Sequence, residues 1–122
     1  MAFRVNCGKI NKKEIEYLTS DTLVRVTENL EELCEKYFVE EKFLEEEEEI
    51  NIDVVHSEKI PELIKALDEK ADSTFLQLKN AKGKDKINEL VDCIKDLWLL
   101  KKIAVELLLK SDGRQDYVLT LN

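Results

Sequence analysis

Hydrophobic and polar residues alternate with a period of two near both ends of the chain and once near its middle. Helical spacing occupies most of the remainder. Phe3, Val5 and Cys7 alternate against Arg4 and Asn6, which predicts a short strand over 2–7. Ile50, Ile52 and Val54 face one way in "INIDVV" and predict a second strand over 50–55, where β-branched side chains favour the pleated form. Tyr117, Leu119 and Leu121 predict a third over 115–121.

Between the strands, Leu23, Val26, Leu30, Leu33 and Tyr37 recur at spacings of three and four, with Cys34 and Phe38 widening the stripe. This predicts a helix over roughly 21–44, capped by Ser20 or Asp21. "NKKEIEYL" is read as one or two helical turns behind Asn11. Pro61 suits the first turn of a second helix, 61–80, whose stripe is Leu63, Ile64, Leu67, Ala71, Phe75 and Leu78. "NAKGKD" breaks it. A third helix, 86–110, carries Ile87, Leu90, Val91, Ile94, Leu97, Trp98, Val105 and Leu108 on one face, and "SDG" stops it at 111–113.

Three long helices with short connections pack most simply as an antiparallel bundle. The expected fold is therefore a mainly α single domain over 1–122, with the short strands paired at one end or side.

The stretch "DLWLLKKIAVELLLK", residues 96–110, is too apolar for a one-faced helix. At 100° per residue, Leu99, Leu100, Ile103 and Leu107 lie opposite Trp98 and Val105, and the same side carries Glu89, Asp92 and Asp96 earlier in the helix. A helix that is apolar all round is buried. Either this one is wrapped by the rest of the chain, or its second face meets another protein. With only two other long helices to cover it, Leu99, Leu100, Ile103 and Leu107 are the expected partner-binding face, with a second copy or another protein as the partner.

Charge sharpens this reading. The formal net charge is −8, which as an average repels duplex DNA and anionic lipid. The distribution is uneven: residues 28–49 hold 11 acids and 2 lysines, whereas 79–102 hold 7 lysines and 4 acids. Segments of opposite sign attract one another within a chain or between copies. Lys79, Lys82, Lys84 and Lys86 surround the break before the third helix and are the candidate phosphate contact, making a nucleic-acid-associated regulator the alternative function. Neither arginine nor an aromatic is interleaved with them, which favours a solvated connection.

Chemical motifs are sparse. His56 is the single histidine, and Cys7, Cys34 and Cys93 form no CxxC pair, so neither a zinc site nor a nucleophile–base pair is indicated by spacing. "KGKDK" lacks the glycines and hydroxyl of a phosphate loop, and the glutamates of 45–49 lack the spacing of a calcium loop. No catalytic residue, metal or cofactor is expected. The N-terminal stretch has no apolar run of signal-peptide length, and 96–110 is too short and too charged to span a bilayer, so the expected setting is cytoplasmic, with reduced cysteines. The 16 lysines against 3 arginines, with 18 glutamates and only two glutamines, match either a thermophilic source or an AT-rich genome.

Overall fold

The computed structural model describes residues 2–25 and 27–122. Val26, a member of the expected first stripe, lies outside them. Among the described residues the chain forms β1 (Ala2–Asn11), β2 (Glu14–Tyr17), β3 (Thr22–Arg25), α1 (Glu28–Tyr37), β4 (Val39–Glu45), β5 (Glu48–His56), α2 (Ile60–Asn80), α3 (Lys84–Ser111) and β6 (Tyr117–Leu121). The strands build one six-stranded antiparallel sheet in the order β2-β1-β6-β5-β4, with β3 on the same edge of β1 as β2. The protein is an α+β fold with a large sheet, not the bundle of three long helices that periodicity suggests.

The correction is concentrated in the expected 21–44 helix, which divides into β3, α1 and β4. Continuing a helix toward Glu49 stacks like charges four residues apart, and each such pair is unfavourable. As strands, β4 and β5 instead set Phe43 opposite Ile50 and Val39 opposite Val54, with their glutamates largely in solvent. The run Glu45–Glu49 becomes a tight hairpin tip, in which Glu46 and Glu47 take φ of 51° and 68°. Such turns favour Asn-Gly, so nothing in five consecutive glutamates announces one.

"NKKEIEYL" is likewise a hairpin rather than a helical turn, pairing Asn11 with Glu14 around Lys12 and Lys13. The pairing then slips. Gly8 faces Tyr17 whereas Ala2 faces Arg25, so residues 18–21 bulge opposite Asn6 and Cys7. Asn6, almost wholly buried, ties the bulge by donating from Nδ2 to the Thr19 carbonyl at 3.2 Å and to Asp21 Oδ1 at 3.0 Å.

The sheet has two apolar faces. One carries Val5, Cys7, Val24, Val55, Leu119 and Leu121 toward the helices. The other curls over a small second core of Phe43, Ile52, Val54 and Val118, with Ile10, Ile15 and Ile50 against it. This curl brings opposite ends of the strand order together, because the Leu44 N–H of β4 donates to the Lys13 carbonyl beside β2 at 2.7 Å.

α2 and α3 form an antiparallel hairpin turning at Gly83, whose φ of 93° suits glycine. α3 runs along β1 in the same direction: Asp96 lies beside Arg25 at the start of β1, and the Ile103 carbonyl accepts from Cys7 Sγ at 3.6 Å. At about 1.5 Å per residue, the twelve residues before Asp96 carry the hairpin tip about 18 Å beyond the start of β1. The inner stripe of α3 is Leu90, Cys93, Ile94, Leu97, Leu100, Ile103, Ala104 and Leu107, all buried. Three of the four residues expected to meet a partner are therefore inside, and Leu99 is half-buried against the same core. Trp98 and Val105, expected inside, are exposed. The sheet covers the face that two helices were too few to cover.

Two measurements follow from this packing. Leu100→Glu with Ile103→Glu places two charges in the layer between α3 and the sheet. Each buried leucine or isoleucine is worth about 1.5–3 kcal/mol, and the unpaired charges add to that loss, so circular dichroism is expected to show an unfolded chain. A soluble variant with native helicity would contradict the layer order. The second concerns Asp96, whose side chain is only 10% exposed and whose Oδ2 lacks a hydrogen bond. Burial holds its carboxyl above the ordinary 3.8, and Asp92 adds to the rise, while Arg25 pulls the other way. With the folded value raised, stability is greatest below the unfolded value and is lost as pH rises through the folded one. Asp96→Asn is expected to raise Tm at pH 7 by roughly 3 °C and to leave it unchanged near pH 3; an equal change at both pH values would refute the assignment.

Candidate functional site

The most distinctive surface is the outer groove of the α2–α3 hairpin. α3 carries a second stripe, rotated away from the buried one: Ile87, Val91, Trp98, Val105 and Leu109 recur at helical spacing along one flank. Trp98 is 52% exposed and Leu109 76%, with Ile87 and Val105 also exposed and Val91 half-buried. From α2, Phe75 leans onto Trp98 with ring centroids 5.7 Å apart and planes tilted by 45°. Directly below, Lys101 Nζ and Asp68 Oδ1 lie 2.6 Å apart and bridge the two helices. α1 is placed on the other flank of α2, where Lys70 meets Glu32 at 3.8 Å, and so leaves the groove open. Scattered exposed leucines are ordinary, whereas an aligned apolar seam centred on a tryptophan is not.

The other sequence-derived candidates are dispersed. Lys79, Lys82, Lys84 and Lys86 are all exposed around the hairpin tip, and Lys86 pairs with Glu89 at 3.8 Å. His56 Nε2 lies 2.7 Å from Glu41 Oε1 on the sheet face turned away from the helices. Cys93 is on the inner stripe of α3, its Sγ 3.7 Å from Thr27 Oγ1, so the fold does not bring His56 and Cys93 together. Among the described residues no three His, Cys, Asp or Glu side chains converge as a metal site, and no helix is long and apolar enough to cross a membrane. On the curled face of the sheet an open groove of about 660 Å³ is lined by Arg4, Asn6, Tyr17, Asp21 and Asn51 among others. Its Arg4–Asp21 pair is loose at 3.9 Å, and no nucleophile is paired with a base there.

Sequence spacing placed Trp98 and Val105 in an apolar stripe but assigned that stripe to the core. Phe75 carried no separate signal, since its spacing on α2 fits the inner stripe equally well. The chain matches no protein-family model, no curated protein and no solved structure.

All three cysteines are free and buried. Burial, then Glu106, pushes the Cys7 thiol up to about 11 against the weaker pulls of Lys110 and Thr19. Burial, then Asp53 and Glu31, does the same for Cys34, also to about 11. The thiolate is the reactive form, so at pH 8 the native protein is expected to react with a thiol-specific disulfide reagent at least tenfold more slowly than the denatured chain. Rapid stoichiometric labelling of Cys7 or Cys34 in the native state would be incompatible with this packing.

Proposed function

We propose that the protein is a non-enzymatic interaction module, a small acidic subunit that self-associates or joins a cytoplasmic protein assembly. Its contact face is the outer groove of the helical hairpin, replacing the Leu99, Leu100, Ile103 and Leu107 face, most of which is used internally. The observation that carries this reading is the exposed Phe75–Trp98 pair set within the flank of α3. Covering an apolar side chain is worth about 25 cal/mol per Å² of surface removed from water, and a buried aromatic anchor surrounded by smaller apolar groups has the composition of an interaction hot spot. The cytoplasmic setting is supported by three cysteines that are buried and unpaired.

A nucleic-acid-associated regulator is the second reading, favoured by the projection of Lys79, Lys82, Lys84 and Lys86 on the hairpin tip. That surface offers charge without arginine forks or stacking rings, and so sequence-independent attraction at most.

Phe75→Glu with Trp98→Glu changes two exposed positions and is expected to leave helicity intact. In an extract of cells making the protein, the wild-type chain is expected to elute above monomer size and the variant at monomer size. A wild-type chain that elutes as a monomer, in extract and alone, would overturn the module reading. A salt-dependent gel shift of nucleic acid that is lost on Lys82, Lys84 and Lys86→Gln would favour the second reading instead.

A further inference from the structure

The face of the sheet turned away from the helices changes character along β1. Val5 and Cys7 point to the helices, so Arg4, Asn6, Gly8 and Ile10 take the opposite, curled face. Toward the end of β1 that face is packed, with Ile10 against the second core of Phe43, Ile52, Val54 and Val118. Toward its start the side chains are polar and the curl is open. Two adjoining cavities lie there. A narrow recess of about 200 Å³ sits where β2 and β4 approach, between Ile15, Tyr17, Phe43, Leu44, Ile50 and Ile52. The wider groove of about 660 Å³ shares Tyr17, Glu45, Ile50 and Ile52 with it and continues past Arg4, Asn6 and Asp21. The Leu44–Lys13 hydrogen bond holds the two edges of the recess together. An apolar recess behind a polar mouth is the usual form of a small-molecule site, and the mouth of a curled sheet is one of its usual places.

The charges that line the mouth select the ligand. Asn6 Nδ2 donates to Asp21 Oδ1 at 3.0 Å, and Arg4 Nε stands 3.9 Å from Asp21 Oδ2, so the charges of Arg4 and Asp21 offset one another. Glu45 lines both cavities, and among the described residues it is in no ion pair. Tyr17 lines both as well and is 45% exposed. A carboxylate entering here would meet Glu45 and Asp21 with Arg4 alone to receive it. An ammonium would meet the Glu45 carboxylate and the Tyr17 ring, both of which attract a cation. The recess behind them sets the size of the apolar part. A cavity of roughly 150 Å³ admits benzene, so this one holds a single aromatic ring or a branched aliphatic chain.

We infer that the curled face of the sheet binds a small organic ammonium, its apolar group in the recess and its charge on Glu45 beside Tyr17. The site lies across the sheet from the outer groove of the helical hairpin and does not depend on the interaction-module reading.

The experiment titrates the protein with 2-phenylethylammonium and follows its amide resonances. Saturable one-to-one binding is expected, with the shifts grouped on Ile15, Tyr17, Phe43, Glu45 and Ile52. Phenylacetate carries the same ring with the opposite charge, and ethylammonium the charge without the ring; both are expected to bind several-fold more weakly. Glu45 is exposed on a hairpin, so its variants are expected to keep the native spectrum. Glu45→Gln is expected to weaken 2-phenylethylammonium roughly threefold to fivefold, as for loss of an exposed ion pair. Glu45→Lys is expected to reverse the preference toward phenylacetate. Four results would overturn the inference: no saturable shift, phenylacetate bound as tightly as the ammonium by the wild-type chain, an unchanged preference in Glu45→Lys, or shifts grouped on Phe75 and Trp98 instead.

Discussion

The contact between α3 and the sheet is the interaction on which the remaining structure depends. Leu97, Leu100, Ala104 and Leu107 are buried in one layer with Val5, Cys7, Leu119 and Leu121 from the two central strands. Small side chains at Cys7 and Ala104 let the helix approach closely, close enough for the Cys7 thiol to reach the Ile103 carbonyl. Once α3 is seated there, α2 is held by the opposite side of the same stripe through Leu63, Leu67 and Ala71, and α1 fills the flank that remains. A helix used on both sides in this way needs apolar residues around much of its circumference. That is the physical content of the leucine-rich segment 96–110.

The sheet meets a comparable demand from its other face. A flat six-stranded sheet with one face on helices leaves the opposite face to water. Here the curl wraps that face around Phe43, Ile52, Val54 and Val118, and the Leu44–Lys13 hydrogen bond fastens the two ends of the strand order. Gly8 belongs to this closure, since a Cβ at that position would come within 2.8 Å of Ile15 Cγ2. Polar groups enter the interior where they hold irregular chain. Asn6 satisfies the bulge at 18–21, whereas Asp96 remains incompletely satisfied beneath Arg25.

With the inner stripe consumed by these two layers, the outer seam of Ile87, Val91, Trp98, Val105 and Leu109 has no covering element among the described residues.

Local sequence determined a good deal. Helical periodicity after Pro61, the break at Gly83 and the stop at Asp112–Gly113 mark α2 and α3, because spacing and breakers act within one or two turns. Alternation at the start, in "INIDVV" and at the end marks β1, β5 and β6 for the same reason. The region from Ser20 to Glu49 was not legible. Its apolar spacing suits a helix, and only pairing with β1 and β5, residues distant in the chain, makes strands of 22–25 and 39–45. Which face of α3 is exposed was equally closed to local reading. The Leu100–Leu107 side, which follows Glu89, Asp92 and Asp96, was expected to meet a partner, yet Arg25 from β3 receives Asp92 and Asp96 and the sheet covers the leucines. Two apolar stripes on one helix are equivalent until something packs on one of them. The sequence determined that α3 has two such stripes, and the tertiary structure decided which became core and which was left exposed, because burial is a property of the assembled layers.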